Sequence, residues 1–334
     1  MTRSRRTFLK TASLAVPAGL AAPRRASAAQ PPPRLSAGDL PRGLTLATIR
    51  RQGETGLAVK TERGLLDVRV AERVFRQNAP VTIDEVFERG GGSELHRLIE
   101  RAGKETGFHV DEATAEFGPC VTRPEKIVCV GLNYRKHAAE TGQPVPKQPI
   151  LFNKFNNALN AHRGTIRVSQ EPAEHFDYEV ELVIVIGRTA RKVSEADALA
   201  HVFGYCTGND FTARDLQRVS SQWMLGKTLD GSAPIGPYLV TADLLGDPNR
   251  LKLECRVNGQ VRQSSSTADM VFDCASLVSY VSRHFTLRPG DLIFTGTPEG
   301  VIAGYPKEKQ VWLAPGDQVA CSIEKLSELQ FTLA

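Results

Sequence analysis

One segment, residues 178–186 (YEVELVIVI), constrains the fold of this chain more than any other. Five consecutive apolar residues, Leu182 to Ile186, follow the two glutamates Glu179 and Glu181. An uninterrupted apolar run of this kind is typical of a strand that is buried on both faces. Because side chains alternate across a strand, the two glutamates share one face. A fold that buries this strand must therefore accommodate two neighbouring carboxylates.

Two interpretations of Glu179 and Glu181 are open from this segment alone. If both are buried and ionised, they are costly without compensation, and like charges raise the pKa of one of them. A divalent cation removes both problems, and hard oxygen ligands suit Mg²⁺, Mn²⁺ or Ca²⁺. Alternatively, the strand end is open to water and the carboxylates are solvated. Since charged residues are mostly exposed, the segment by itself favours the solvated alternative.

Asp210 shifts the interpretation towards a metal site. The small and polar residues 207–209 are typical of a turn, which places Asp210 on a loop after a strand over residues 202–206. Arg214 follows four residues later and Gln217 three residues beyond that, a spacing that puts them on one helix face. These side chains could bind an anionic substrate beside a metal. An N-cap role for Asp210 is the simpler alternative and is compatible with metal ligation.

The net charge of +5 comes from the N-terminus. Residues 1–28 hold six basic side chains and no acidic ones, so the remainder carries a net charge of −1. A near-neutral body lacks the basic footprint of a nucleic-acid-binding protein. No stretch approaches the roughly 20 apolar residues that a membrane-spanning helix needs.

The N-terminal residues resemble a twin-arginine signal peptide. Residues 4–10 (SRRTFLK) precede an apolar run over residues 11–22 and the small residues 26–28 (ASA). This order predicts a signal peptide over residues 1–28, cleaved after about Ala28, and export to the periplasm by the twin-arginine machinery. A disordered basic tail is the alternative. The Pro-rich residues 29–42 indicate an extended linker.

The remainder of the chain is predicted to be α+β and mainly β. Short strands and two helices over residues 43–115 indicate a small α+β N-terminal domain. A larger unit over residues 122–334 holds most of the predicted strands. Asn258-Gly259 predicts a tight hairpin, because this pair favours the positive φ angles of a type I′ turn. The strands predicted in the larger unit cover residues 126–130, 178–186, 238–241, 251–257, 292–295 and 318–323.

Four motifs in the larger unit together resemble the fumarylacetoacetate hydrolase family. The resemblance extends over roughly residues 122–325. It implies a β-sandwich roll, usually a homodimer, with one Mg²⁺, or Mn²⁺ or Ca²⁺, per subunit on Glu179, Glu181 and Asp210. The motifs are, in the family's order, residues 131–140 (GLNYRKHAAE), 179–182 (EVEL), 209–217 (NDFTARDLQ) and 295–300 (TGTPEG), with 226–230 (GKTLD) between the last two.

The resemblance also implies roles for individual residues. His137 and Glu140 match the His-x-x-Glu acid–base dyad that smaller bacterial and mitochondrial members carry on a lid helix. The animal fumarylacetoacetate hydrolases have a further metal-binding Asp upstream, and residues 129–131 offer no carboxylate. The chain is therefore more similar to acylpyruvases and 2-hydroxyhepta-2,4-diene-1,7-dioate isomerases. The substrate-binding residues implied by the family are Tyr134, Arg214, Gln217, Lys227 and Thr297.

These residues predict a metal-dependent enzyme that acts on a small oxo-acid or dicarbonyl substrate. The leading hypothesis is hydrolysis of a C–C bond in an acylpyruvate-like or 1,3-dicarbonyl compound, with the His137–Glu140 pair activating water. The first alternative is isomerisation, decarboxylation or hydration of an unsaturated 2-oxo dicarboxylate at the same site. The second alternative is an exported ligand-binding protein without turnover.

Overall fold

A computed structural model describes residues 40–334 of the chain. The predicted signal peptide and nearly all of the predicted linker lie outside these residues. Within the described part of the chain, no helix is long and apolar enough to cross a membrane.

The described residues form twenty strands and nine α-helices, many of them short. Up to residue 117 they are β1 (Thr45–Arg51), β2 (Glu54–Thr61), β3 (Gly64–Asp67), α1 (Val68–Phe75), α2 (Ile83–Arg89), α3 (Gly92–Ala102), β4 (His109–Val110) and β5 (Glu116–Phe117). The next are β6 (Ile127–Gly131), α4 (Arg135–Glu140), β7 (Ile150–Lys154), β8 (Leu159–Asn160), β9 (Gly164–Ile166), β10 (Phe176–Asp177), β11 (Val180–Ile186), α5 (Glu195–Ala198), β12 (Val202–Asn209), β13 (Thr212–Ala213), α6 (Arg214–Gln217) and α7 (Met224–Lys227). The last are β14 (Ala233–Pro234), β15 (Tyr238–Thr241), α8 (Ala242–Leu245), β16 (Lys252–Val257), β17 (Gln260–Ser266), α9 (Cys274–His284), β18 (Leu292–Phe294), β19 (Gln318–Ile323) and β20 (Leu329–Leu333).

An eleven-stranded sheet forms the centre of the fold. Its strand order is β4-β3-β2-β1-β15-β12-β11-β18-β6-β7, and β5 pairs with β1. The first strands of the chain therefore extend the same sheet that contains β11. The α+β, mainly β class predicted from the sequence is confirmed. The division into domains over residues 43–115 and 122–334 stays a prediction, and strands from both parts pair in this one sheet.

Strand β11 lies in the middle of the large sheet between β12 and β18. All of its residues are buried. The side chains of Leu182 and Ile184 belong to one apolar core and those of Val183 and Val185 to the other. The sequence interpretation of β11 as a strand buried on both faces is therefore correct.

A five-stranded sheet, in the order β17-β16-β19-β20-β9, packs against this centre through β16 and β19. The predicted Asn-Gly turn joins β16 to β17. Asn258 and Gly259 have φ angles of 50° and 79°, as a type I′ turn requires. The remaining strands form two small two-stranded sheets, β10-β13 and β14-β8.

Candidate functional site

Three buried carboxylates meet where β11 begins and β12 ends. Antiparallel pairing places Val180 opposite Asn209, and the backbone N–H of Asp210 donates to the carbonyl of Glu179 over 2.9 Å. Oxygen atoms of Glu179, Glu181 and Asp210 consequently lie within 4.8 Å of one another. Their exposed fractions are 4%, 2% and 0%. The solvated alternative considered for the glutamates is therefore wrong.

Basic side chains compensate two of the three carboxylates. Lys227 Nζ lies 2.7 Å from both Glu179 Oε2 and Asp210 Oδ2. Arg214 lies 2.6 Å from Glu179 Oε1, and Lys154 lies 2.7 Å from Asp210 Oδ1. Burial acts to raise the pKa of Glu179, but the charges of Arg214 and Lys227 outweigh it and lower that pKa. Burial likewise acts to lower the pKa of Lys227, but the charges of Asp210 and Glu179 outweigh this effect and raise that pKa.

Glu181 lacks a basic partner within the described part of the chain. Its carboxylate accepts a hydrogen bond of 2.7 Å from the backbone N–H of Gly296. Burial, followed by the charges of Asp210 and Glu179, raises the pKa of Glu181 well above its usual value. A hard divalent cation held by three carboxylate oxygens would reverse this effect. The donor set therefore fits such an ion.

Glu179, Glu181 and Asp210 form the carboxylate cluster. Two further charged residues lie next to it, and the sequence analysis missed both. Lys154 is fully buried at the end of β7, where it also donates to the carbonyl of Phe211 over 3.1 Å. Asp177 accepts from Arg214 Nε over 2.8 Å. A signal was present for Asp177, since it continues the alternation of Glu179 and Glu181. Lys154 carried only the weaker signal of a lysine closing an apolar strand.

Close packing of α6 against α7 brings Lys227 to the cluster. Gly226 lies where a Cβ atom would be 2.4 Å from both the carbonyl of Ala213 and the backbone nitrogen of Gln217. Since real Cβ atoms do not approach backbone this closely, glycine is required here. Lys227 therefore lies beside Arg214 because of its glycine neighbour.

His137 and Glu140 form a hydrogen-bonded pair on α4. His137 Nδ1 lies 2.8 Å from Glu140 Oε1, and the backbone N–H of Gly300 donates to Glu140 Oε2 over 2.8 Å. When Glu140 is ionised its carboxylate can only accept, so the N–H at Nδ1 is the donor of this hydrogen bond. The other ring nitrogen, Nε2, is left as the atom that can exchange a proton.

A cavity of about 300 Å³ is lined both by the glutamates Glu179 and Glu181 and by the side chain of His137. Phe152 and Trp223 contribute apolar surface to it, and their rings pack edge to face at 5.3 Å. Asp210 and Glu140 lie off the wall and contact it through Lys227 and His137. The predicted site residues on the wall are His137, Glu179, Glu181, Arg214, Gln217, Lys227 and Thr297.

Tyr134 is the predicted substrate-binding residue that does not line the cavity. It is fully buried, and its hydroxyl has no hydrogen-bond partner among residues 40–334. The geometry gives its predicted substrate-binding role no support.

Gln263 shows the opposite case. Sequence reasoning did not identify it, yet it is buried and its amide donates to Thr297 Oγ1 over 2.9 Å, which fixes that wall residue.

The fold and this site define an enzyme in which three buried carboxylates that could hold a divalent cation share a cavity with a hydrogen-bonded His–Glu pair. The sequence model of the fumarylacetoacetate (FAA) hydrolase C-terminal family matches residues 126–334. The chain belongs to this family, as the four motifs predicted.

Known proteins similar to this chain have several activities. A mitochondrial oxaloacetate tautomerase of Bos taurus is 43% identical over 274 residues, covering 81% of this chain and 84% of its own. The structure of a fumarylacetoacetate hydrolase from Exiguobacterium antarcticum has a TM-score of 0.70 and 34% identity, covering 87% and 99%. A fumarylpyruvate hydrolase from Pseudomonas aeruginosa, crystallised with Mn²⁺ and pyruvate, has a TM-score of 0.56 and 35% identity, covering 64% and 91%.

The prediction of periplasmic export through the twin-arginine machinery is wrong. The bovine relative, similar over four fifths of this chain, is named as a mitochondrial protein. An arginine-rich, acid-free N-terminal stretch is also typical of mitochondrial presequences, so its composition did not distinguish the two addresses. The residues that suggested export lie outside the described part of the chain.

Proposed function

We propose that this protein is an isomerase that interconverts the keto and enol forms of a 2-oxo acid, with oxaloacetate as the first candidate. The observation that carries the proposal is the Nε2 atom of His137, which has no hydrogen-bond partner among residues 40–334 and belongs to a side chain that lines the same cavity as Glu179 and Glu181. One acid–base group beside a site for an enolate is sufficient for tautomerisation, whereas hydrolysis also needs a positioned water. The similarity to a bovine oxaloacetate tautomerase supports the same choice.

Glu179, Glu181 and Asp210 would hold one divalent cation per subunit, Mg²⁺ or else Mn²⁺ or Ca²⁺. When bound, the cation supplies Lewis-acid stabilisation of the negative charge that develops on a substrate oxygen. Arg214 and Lys227 keep the cluster charge-compensated and present donors to the substrate carboxylate from the cavity wall.

His137 carries the proton. Its Nε2 atom removes a proton from the carbon next to the 2-oxo group and returns one to the resulting enolate oxygen. Glu140 accepts from Nδ1 throughout, which orients the ring and stabilises the imidazolium while it exists. The aromatic rings of Phe152 and Trp223 limit the access of water to this part of the cavity.

The direct test is the ultraviolet absorbance of the enol of oxaloacetate, followed after the enol is diluted into buffer. Protein loaded with Mn²⁺ should accelerate the decay above the rate with Mn²⁺ alone. The same protein after chelation should not. Equal rates with loaded protein and with Mn²⁺ alone would exclude the proposed reaction for this substrate.

Hydrolysis of an acylpyruvate is the second candidate. The similarity to a fumarylpyruvate hydrolase favours it, and the His137–Glu140 pair could activate water. Mass analysis separates the candidates, because hydrolysis yields two fragments, of which the carboxylic acid contains one solvent oxygen, whereas tautomerisation leaves the mass unchanged. The homodimer implied by the family also stays a prediction, which analytical ultracentrifugation would test.

We predict that Gly304→Ala lowers turnover while leaving stability nearly unchanged. A Cβ atom at Gly304 would lie 2.5 Å from Glu140 Cδ and 2.6 Å from Glu140 Oε2. Because this neighbour is the end of a flexible side chain, the fold can accept the methyl group by moving the carboxylate. Glu140 then loses the hydrogen bond from the backbone N–H of Gly300 and no longer orients His137. We expect a drop in kcat/KM of about 10- to 100-fold.

The matched control is Gly107→Ala, since a Cβ atom at Gly107 has no neighbour within 4 Å. Both variants should unfold within a few degrees of the wild-type protein. Wild-type kcat/KM in the Gly304 variant would show that the position of Glu140 is unimportant. A fall in the control as large as that in Gly304→Ala would contradict the steric argument.

A further inference from the structure

We propose that Arg218 binds the distal carboxylate of the substrate at the outer end of the cavity and thereby selects 2-oxo dicarboxylates over the corresponding monocarboxylates. This inference rests on the proposed function, because it assumes that a 2-oxo acid occupies the carboxylate cluster. It adds a residue that determines specificity for the second carboxylate.

Arg218 differs from the other basic side chains on the cavity wall. Lys227 and Arg214 are buried and paired with carboxylates of the cluster. Arg218 follows α6 directly, is exposed and lines the same cavity. Among residues 40–334, no carboxylate lies within 4.0 Å of its guanidinium. The structure therefore presents, at the cavity, a cationic group that no carboxylate of the described residues pairs with.

The cavity wall combines buried charged residues, one exposed arginine and apolar surface. The buried end holds Glu179, Glu181 and Lys227, whereas Arg218 is at the solvent-exposed end. The apolar part of the wall starts beside the buried end, where Lys227 Nζ lies 5.0 Å from the ring centroid of Phe152, and Trp223 packs against Phe152. A short carbon chain with an anionic group at each end matches this arrangement. The planar guanidinium suits the outer group, since it can bind a carboxylate through two parallel hydrogen bonds.

Charge balance indicates that the buried end takes only one substrate carboxylate. Four buried carboxylates, Asp177 together with the three of the cluster, face the three buried cations Lys154, Arg214 and Lys227. One divalent cation turns the single excess negative charge into a single excess positive charge. One substrate carboxylate neutralises that excess, so a second one needs another cation. Arg218 supplies it from the same cavity wall.

The test compares acids that differ only in the distal carboxylate. The probes are 2-oxoglutarate with 2-oxopentanoate, and oxaloacetate with 2-oxobutanoate, titrated calorimetrically into the full-length protein loaded with Mn²⁺. The wild-type protein should bind the dicarboxylate of at least one pair about fivefold more tightly. Arg218→Gln should remove this preference and leave the affinity for the monocarboxylates unchanged. Arg218→Lys should keep most of it.

The salt dependence of the preference for dicarboxylates is a second readout, and a purely structural role of Arg218 would not produce it. The preference of the wild-type protein should shrink as the ionic strength rises, because an exposed ion pair is screened. Arg101→Gln is the matched control: Arg101 is also exposed and without an ion pair in the described residues, but it lies on α3 and not on the cavity wall. This control should bind all four acids as the wild-type protein does.

Each contrary result has a distinct meaning. Equal affinity of the wild-type protein for both members of both pairs would overturn the role of Arg218. An equal loss for monocarboxylates and dicarboxylates in Arg218→Gln would overturn it too, since it would reveal a general defect. If the preference is found but tautomerisation is not accelerated, the proposed reaction fails and the dicarboxylate site stands. If tautomerisation is accelerated but the preference for dicarboxylates is not found, the proposed reaction stands and the proposed role of Arg218 fails.

Discussion

Glu181→Gln is expected to abolish cation binding and lower kcat/KM by about a thousandfold, without making the cation-free protein less stable. Glutamine keeps the shape of the side chain and can accept the hydrogen bond from Gly296. Glu181 has no basic partner among the described residues, and its charge is buried beside Glu179 and Asp210. A neutral amide therefore relieves repulsion in the cation-free protein while removing one anionic ligand.

Thermal unfolding with and without Mn²⁺ measures both effects. A ligand that binds only the folded state raises its stability, by about 2.7 kcal/mol when present at a hundred times its Kd. The wild-type protein should show this rise and the variant should not. Glu88→Gln removes a negative charge from an exposed position outside the cluster and should behave as the wild-type protein. A variant that still shows the full Mn²⁺-dependent rise would exclude Glu181 as a ligand.

The sequence was sufficient for the central strand and for part of the site. The apolar run of β11 predicts burial on both faces, and alternation predicts that Glu179 and Glu181 share one face. Local pattern does not reveal which strand pairs with β11. The closeness of Asp210 follows from the pairing of Val180 with Asn209, which is a contact distant in sequence. Asp210 was selected from its loop position and its spacing to Arg214 and Gln217, and the family motifs supported that choice; its role as a metal ligand stays a prediction.

The sequence failed where long-range packing decides the role of a residue. Lys154 ends a short strand and resembles an ordinary surface lysine, yet it is fully buried against Asp210. Tyr134 lies within a family motif, yet it is packed in the core away from the cavity wall. The joining of β1 to β15 in the large sheet also depends on distant residues. Local periodicity predicts each element but not its neighbours.

His137→Ala is expected to lower kcat/KM by about 100- to 10,000-fold while the Mn²⁺-dependent rise in melting temperature is retained. The carboxylate cluster contains no histidine, so removing the imidazole leaves all three predicted ligands in place. His284→Ala, at the exposed end of α9, is the control and should keep wild-type activity.

The His137 variant also distinguishes proton transfer from a structural role. Removing the ring opens a space between the cavity and Glu140 Oε1, the atom that accepts from Nδ1. Free imidazole can occupy that space and bind the same carboxylate, so added imidazole should restore part of the turnover, increasingly so at a pH where it is neutral. Full activity in His137→Ala without imidazole would exclude His137 as the proton carrier. Loss of activity that imidazole does not restore, together with loss of the Mn²⁺-dependent stabilisation, would instead show that His137 supports the structure of the metal centre.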